Sequence, residues 1–575
     1  MIPWPFGAAL ALLLAYVVWS GRGGRGEVLD RLRREWGTPR ELRRRMDVIA
    51  EYHRARVPAG SESSLDDRTW DDLDLDAVFA RLDRTESTLG QQVLYHRLRS
   101  SPGADNLDAF DALVTRLGSD VALRERLQCA LAPLRNPAGY DLWWLAQPGA
   151  VETRPWHVAF PVLGGLMLAA AVAMLVKPGA LLFLLLGAVV NLPIRVAIAK
   201  HVGPLVGAFR QIAPLLAAGD VVQSISDDAI RPLVGQVAED LRRLSRLRSI
   251  ARWVGRDPIA AGEPASSVFE LCNLLFLLDA NGLYFSDREL RAHGDALLRV
   301  VAAVGEVDAA VSMASVRAGT PYWIRPSFTP AGSRASFAGL RHPLIDGDDA
   351  VPNSIVLGPP HGVLVTGSNM SGKSTFVRTV GLNVVLAQTV ATTFASGYEA
   401  PQLVVRSFIG RSDDLLAGKS YYLVEVEAIL ALVAASHGPA GCLFLLDELF
   451  RGTNAVERIA AGEAVLLELT GAAAGAARHL VIAATHDAEL VDLLHGIYMP
   501  YHLADALNRD GLVFEYRLKP GAATTRNAIA LLRQSGAPDG VVARALRRAA
   551  LLDEQRARAQ TSAGDAGRPD GKAPA

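Results

Sequence analysis

Two regions of the chain are apolar almost without interruption. The rest divides into a long stretch of helical period and a stretch where strand and helix patterns alternate. Ile2 to Ser20 is the first apolar run, with Trp4 and Trp19 near its ends, and at about 1.5 Å per residue it is long enough to span a bilayer. The second covers residues 157–194. It reads HVAFPVLGGLMLAAAVAML, breaks at Lys177-Pro178-Gly179, and resumes as LLFLLLGAVVNLPI, with no charge other than Lys177 between Arg154 and Arg195. This is the pattern of two spans joined by a tight turn. Residues 71–150 and 200–315 carry leucine and alanine at helical spacing with few strand signals, whereas 330–535 alternate strand-like and helix-like segments, as a doubly layered α/β domain does.

The expected organisation is a transmembrane helix at 1–20, a basic juxtamembrane connector at 21–70, and a helical lever-like segment at 71–155. A membrane hairpin follows at 156–197, a second lever-like helical segment at 198–325, an α/β domain at 326–555, and a tail at 556–575 that is disordered on composition. A cleaved signal peptide would place positive charge before the first apolar run; here the arginines follow it, so it is expected to remain as an anchor. Arginines after the first span and Arg195 and Lys200 after the third orient the chain by the positive-inside rule, with the N-terminus and the Lys177 turn outside and the α/β domain inside.

Composition supports this picture and narrows it. The chain has 575 residues, half of them hydrophobic, and a mean hydropathy of +0.20, high for a fully soluble enzyme. Net charge is −1, so no chain-wide basic field points to nucleic acid. Nine arginines between Arg22 and Arg45 are the local exception. Three readings of them stay open: a topology signal touching anionic lipid, a solvated helix face, or a DNA-binding arm. The three cysteines are far apart in sequence and indicate neither a zinc site nor a disulfide framework.

The chemistry is concentrated in the second half. GVLVTGSNMSGKST, from Gly362 to Thr375, is an apolar strand breaking into a glycine loop that ends in Gly-Lys-Ser-Thr. In a phosphate-binding loop, Gly367 and Gly372 let backbone N–H groups turn toward an anion, Lys373 reaches the terminal phosphates, and the Ser374 hydroxyl can ligate Mg²⁺. The helical pattern that follows adds a helix N-terminus to the same site. CLFLLDE ends a buried strand in two carboxylates. Asp447 is suited to hold Mg²⁺ through water and Glu448 to polarise an attacking water. A further strand, His479 to Thr485, ends in His486, a candidate γ-phosphate sensor. In SDDLLAGKSYYLVEVE a Gly-Lys-Ser enters a helix, an anion site that can serve a nucleotide held by a partner subunit.

Together the loop TGSNMSGKST, the segment DDLLAGKSYYLVEVE, LLDELFRGTN and ATHDAEL resemble the ATPase domain of the MutS mismatch-repair family. YWIRP, RHPL and Pro352-Asn353 upstream, GAATTRNAIALLRQSGAP downstream, and VFARLDRTESTLGQQVLYHRLR near the start extend the likeness. The resemblance implies an ABC-like P-loop α/β ATPase domain preceded by an all-α lever domain, here with about three transmembrane helices. It assigns nucleotide contacts along Gly367, Ser368, Asn369, Met370, Ser371, Gly372, Lys373, Ser374 and Thr375, with Ser374 and Asp447 at the magnesium. Glu448 becomes the catalytic base, with Lys373 and His486 beside it, and Ser420 completes the partner's site, so a homodimer with composite ATP sites is implied. Ser368 and Ser371 stand where the family usually has proline and glycine, and Phe450 where it has glycine. The segment ahead of the lever-like part carries no mismatch-reading motif, so mismatch-specific recognition is not expected.

The expectation is therefore a membrane-anchored ATP hydrolase using ATP and Mg²⁺, whose lever motion acts on DNA or on a membrane-proximal protein. Two alternatives remain. One is a DNA-binding clamp-type repair or recombination protein; the other is an ATPase regulating a membrane partner in a transporter-like complex.

Overall fold

The computed structural model describes residues 26–57, 64–101, 103–147, 149–151, 154–174, 176–225, 227–254, 263–358, 361–368, 370–410, 421–471, 479–508, 511–523 and 528–551. The apolar run at 1–20, Asn369, Ser420 and the 556–575 tail lie outside the described residues. The chain forms two units, residues 1–326 with 383–394, and residues 327–382 with 395–575.

The first unit is helical. Its backbone is set by α1 (Met46–Arg56), α2 (Thr88–Arg99), α3 (Ala104–Ser119), α4 (Ala159–Met174), α5 (Leu181–Arg210), α6 (Ile212–Val222), α7 (Glu263–Phe276) and the 41-residue α8 (Leu278–Ala318). Val300, Val304, Val307 and Val311 of α8 recur every three or four residues and are fully buried, which gives the helix one apolar face against α2 and α3. It bends at His293, where φ is −131°.

A polar knot lies inside this core. Asp308 on α8 accepts the N–H groups of Glu86 and Ser87, both at 2.8 Å, and the Ser87 hydroxyl, so it satisfies orphan donors at the start of α2. Gly90 admits it, because a Cβ there would lie 2.1 Å from the Asp308 carboxylate. Glu86 in turn pairs with Arg31, Arg40 and Arg135, while Arg44 pairs with Asp83 at 2.7 Å and Arg33 with Glu125 at 2.7 Å. Of the three readings open for the basic stretch, a freely extended DNA-binding arm does not fit these pairings. Much of the charge is consumed within the helical unit.

Two buried arginines also hold the end of a helix that starts at the phosphate loop, α9 (Lys373–Val390). Its first half belongs to the second unit and its last turns, from Asn383, to the helical one. Arg97 donates to the Thr389 carbonyl at 2.7 Å and Arg317 to the Ala391 carbonyl at 2.8 Å.

Among the described residues three stretches are long and apolar enough to cross a membrane. Pro155–Met174 and Pro178–Ala197 are only 11% and 17% buried, and they present Val162, Leu166, Phe183 and Val189 outward on α4 and α5. Leu205–Val222, which the sequence pattern did not single out, is 56% buried and packs within the helical unit. The exposed pair coincides with the expected hairpin, an apolar surface larger than a water-facing helix pair presents. Asn191 on α5 is fully buried there and donates to the Leu274 and Leu275 carbonyls at the end of α7, at 3.1 and 2.8 Å.

The second unit is an α/β domain. Its main sheet contains β1 (Gly362–Thr366), β2 (Val404–Ile409), β3 (Cys442–Asp447), β4 (Leu480–Ala484), β5 (Tyr498–Asn508) and β6 (Gly511–Pro520), in the order β6-β5-β1-β4-β3-β2. All pairings are parallel except β5 with β6. β1, β3 and β4 are buried at every position, which is why they read as continuous apolar runs rather than alternating ones. The helices α10 (Tyr421–Ser436) and α11 (Ala455–Thr470) pack with this sheet. A smaller four-stranded sheet of residues 327–328, 335–340, 353–357 and 397–400 completes the unit.

Candidate functional site

Parallel register brings three strand ends to one edge. Ala484 at the end of β4 is level with Asp447 on β3 and with Val365 on β1, so the phosphate loop, the acid pair and His486 all leave the sheet on the same side. Ligands of open α/β sheets bind at this carboxyl edge.

The loop after β1 depends on two glycines. Gly367 has φ +141° and Gly372 φ +94°, conformations that side chains rarely adopt. Ser371, fully buried, closes the loop by donating its N–H and hydroxyl to the Ser368 carbonyl at 3.2 and 2.8 Å. The serine standing in place of a glycine therefore has a role inside the loop, tying its own turn together. Lys373 opens α9 and donates to the carbonyls of Gly367 at 2.9 Å and Ser368 at 2.8 Å, with its ammonium 3.4 Å from His486 Nε2.

The Ser374 hydroxyl on α9 donates to Asp447 Oδ2 at the end of β3, and Asp447 Oδ1 is buried with no partner among the described residues. Burial pushes the Asp447 carboxyl up; the Ser374 hydrogen bond opposes this, Glu448 adds to it, and the charges of Lys373 and Arg378 counter it. Glu448 shifts the other way. The hydrogen bond to His486 holds its carboxyl below the usual range, against the effect of burial, and the charges of His486, Arg451 and Lys373 reinforce it. His486 engages Oε1, and Arg451 lies 3.1 Å from Oε2. One carboxylate is thus held below its usual range by an imidazole and a guanidinium, and its neighbour has a buried oxygen with no partner among the described residues.

Beside the loop lies a cavity of about 150 Å³, lined by Gly372, Thr375, Phe376 and Thr379 together with His342 and Tyr516. Leu340, Phe376, Leu503 and Tyr516 give it an apolar and aromatic share of its lining, as a base-binding pocket would have. His342 falls in the RHPL segment already singled out. Tyr516 and Phe376 were not anticipated, because a tyrosine in an alternating strand and a phenylalanine in a helix pattern read as ordinary packing.

Of the residues expected at the site, Gly367, Ser368, Met370, Ser371, Gly372, Lys373, Ser374, Thr375, Asp447, Glu448 and His486 occur around this one edge. Met370 is 56% exposed at the loop tip and touches none of the acids in a described contact. Asn369 and Ser420 lie outside the described residues.

Residues 363–553 match the family MutS domain V. The α/β unit is thus similar to a MutS ATPase domain. Relatives extend the likeness beyond domain V. A DNA mismatch repair protein MutS 2 of Halobacterium salinarum is 34% identical over 294 residues, which cover 50% of this chain and 32% of that protein. The DNA mismatch repair proteins MutS of Thermus aquaticus and Thermus thermophilus are 29% and 34% identical, over 58% and 47% of this chain. The chain spans well under half the length of these relatives, 39% and 31% of the two Thermus proteins.

Proposed function

We propose that this chain is a membrane-anchored ATP hydrolase of MutS type, which binds and hydrolyses Mg²⁺-ATP as a dimer and transmits the cycle to its helical unit. The observation that carries the reading is the convergence of Lys373, Ser374, Asp447, Glu448 and His486 on one sheet edge. The donor set fits a magnesium ion. Asp447 Oδ1 is an orphaned buried oxygen next to the Ser374 hydroxyl, and hard oxygen ligands of this kind suit that ion. When bound, the ion supplies charge neutralisation for the phosphates. Lys373 exchanges its two carbonyl partners for phosphate oxygens, the loop N–H groups and the α9 N-terminus hold the same anion, Glu448 accepts a proton from the attacking water, and His486 orients at the terminal phosphate.

Arg97 of α2 and Arg317 of α8, which donate to carbonyls at the C-terminal end of α9, favour a mechanical role for that helix, which begins at the phosphate loop. The exposed apolar pair α4 and α5 favours insertion in a bilayer, with the Lys177 turn outside and the ATPase domain in the cytoplasm. Ser420 would complete the partner subunit's site. The relatives' names make DNA the second reading for the load, and a membrane-proximal protein the first.

The deciding experiment is the ATPase rate of the detergent-purified chain with and without homoduplex, mismatched and branched DNA at two salt concentrations, alongside Lys373→Ala. Activity that is lost in Lys373→Ala and indifferent to DNA is expected. DNA stimulation that weakens with salt would instead make DNA the load, and activity surviving in Lys373→Ala would sink the site assignment. For the membrane reading, a cysteine introduced at Lys177 should react with an impermeant reagent from outside intact cells; protection there with labelling only after lysis would reverse the topology.

A further inference from the structure

One close pairing beside the site has no part in the reading above. Arg458, on α11, donates through Nε to Asp487 Oδ2 at 2.9 Å and through Nη2 to Asp487 Oδ1 at 2.8 Å, the two bonds of a guanidinium–carboxylate fork. Asp487 follows His486 and precedes the short helix Ala488–Leu493. Arg458 is the fourth residue of α11, and the loop carrying Glu448 ends at the start of that helix. Asn454 caps α11 by accepting the Glu457 N–H at 3.0 Å, and the Thr453 hydroxyl donates to Glu457 Oε2 at 2.8 Å. The fork therefore joins the Glu448 loop to the His486 turn.

The strand end and the fork bracket His486. On one side the Thr485 N–H donates to the Val365 carbonyl and the Glu448 N–H to the Ala484 carbonyl, both at 3.0 Å, which ties the end of β4 to its neighbours. On the other side the Asp487 N–H reaches back to Thr485 Oγ1 at 3.0 Å, and the Asp487 carboxylate is gripped by Arg458. The imidazole itself engages Glu448, but a carboxylate that takes up a proton from water cannot anchor it throughout a reaction cycle. The backbone on either side has to. Helix stability does not account for Arg458, because a cation in the first turn of a helix opposes its dipole. Nor does the stability of the fold, since the two side chains are 27% and 16% exposed, a setting in which ion pairs contribute little. What two bonds from one planar group supply is direction.

We propose that Arg458 is a positioning residue for hydrolysis, whose fork on Asp487 locks the His486 turn against the Glu448 loop and keeps imidazole and base in register at the terminal phosphate. The proposal rests on the reading of Lys373, Glu448 and His486 as the ATP site. Arg458 acts through Asp487 and not on the nucleotide, so its loss should lower turnover while leaving ATP affinity nearly intact.

The test uses the full chain in detergent and compares wild type, Arg458→Ala, Asp487→Ala, the double variant, Arg458→Lys and Lys373→Ala. Each alanine variant is expected to lower kcat about tenfold with KM for ATP within about twofold, the pattern of a misaimed catalytic group rather than a lost binding one. The double variant should be within about twofold of either single one, because all three remove the same contact. Arg458→Lys keeps the charge and loses the fork, so its kcat should lie between wild type and Arg458→Ala. Amide hydrogen exchange over 485–488 supplies a readout independent of catalysis and should quicken in both single variants, while the melting temperature barely moves. Unchanged kcat in the single variants would overturn the proposal, as would losses that multiply in the double variant, a fall in kcat that tracks the melting temperature, or a rise in KM with kcat unchanged. If Arg458→Ala does not fold, Arg458→Lys and Asp487→Ala carry the same comparison. Wild-type activity that is absent, or insensitive to Lys373→Ala, would remove the hydrolase reading and the proposal with it, whereas full activity and unchanged exchange in Arg458→Ala would remove the proposal alone.

Discussion

The helical unit and the sheet edge both bury charge, yet they treat it in opposite ways. Around Glu86 and Asp308 the buried carboxylates are met. Glu86 has three arginines, and Asp308 has two amides and a hydroxyl. Among the described residues, Asp447 leaves one buried oxygen without a partner and Glu425 leaves both. A satisfied polar cluster rigidifies the core around it, whereas an unsatisfied one carries a desolvation cost that a ligand or a moving loop can relieve. The two clusters therefore differ in whether their carboxylates are partnered, and at the first the unpartnered atoms among the described residues include the arginine nitrogens Arg31 Nη1 and Arg40 Nε.

The contrast can be broken most sharply at Glu448. Glu448→Gln should retain nucleotide binding and lose at least about a hundredfold in turnover, because an amide cannot take the water's proton. Equilibrium binding and single-turnover rates check this, and unimpaired turnover would exclude Glu448 as the base.

Next in size is the knot. Asp308→Ala leaves the N–H groups of Glu86 and Ser87 buried and unpaired, a loss of about 2–5 kcal/mol in the stability of the helical unit. A denaturant titration monitored by helical signal should show it, while the ATP affinity of molecules still folded should change little. An Asp308→Ala protein as stable as wild type would mean the knot is ornamental.

The smallest effect concerns pH. His53 and His96 approach with Nδ1 atoms 3.0 Å apart, and burial pushes each down to about 4, with neighbouring positive charge adding to the shift. The unfolded chain takes up these protons near pH 6.5, while the folded chain resists until about pH 4, so the unfolded state binds more protons across that window. Stability should fall as pH drops from about 6.5 toward 4, with no contribution from this pair above it. Melting temperature against pH for wild type and for His53→Gln with His96→Gln should differ in slope in that window alone; parallel curves would assign acid sensitivity elsewhere.

The working site was far more legible than the knot. A phosphate loop is local: strand, glycines, lysine and helix follow one another within a few residues, and the torsions of Gly367 and Gly372 are those the motif requires. The Asp447-Glu448 pair and His486 were legible for a similar reason, as polar residues ending apolar strands. Glu425 was not. Its glutamate lies in a helix rich in apolar residues, and nothing in its own neighbourhood signals that both of its oxygens are buried with no partner among the described residues. The basic stretch was read too openly for the same reason, since Arg31, Arg40 and Arg44 find their acids at Glu86 and Asp83, about forty to fifty-five residues away.

The sequence by itself determined the local motifs and the coarse architecture: the glycine loop after a strand, the acid-ended strand, the helical first unit and the two exposed apolar helices. These follow from periodicity and from short motifs whose geometry is set by neighbours along the chain. Tertiary structure alone decided which polar groups are paired. Gly90 has to lack a side chain because Asp308 approaches it, and Arg31, Arg40 and Arg44 are spent on distant acids. Pairing between remote residues depends on how elements pack, and burial converts each success or failure of that packing into free energy.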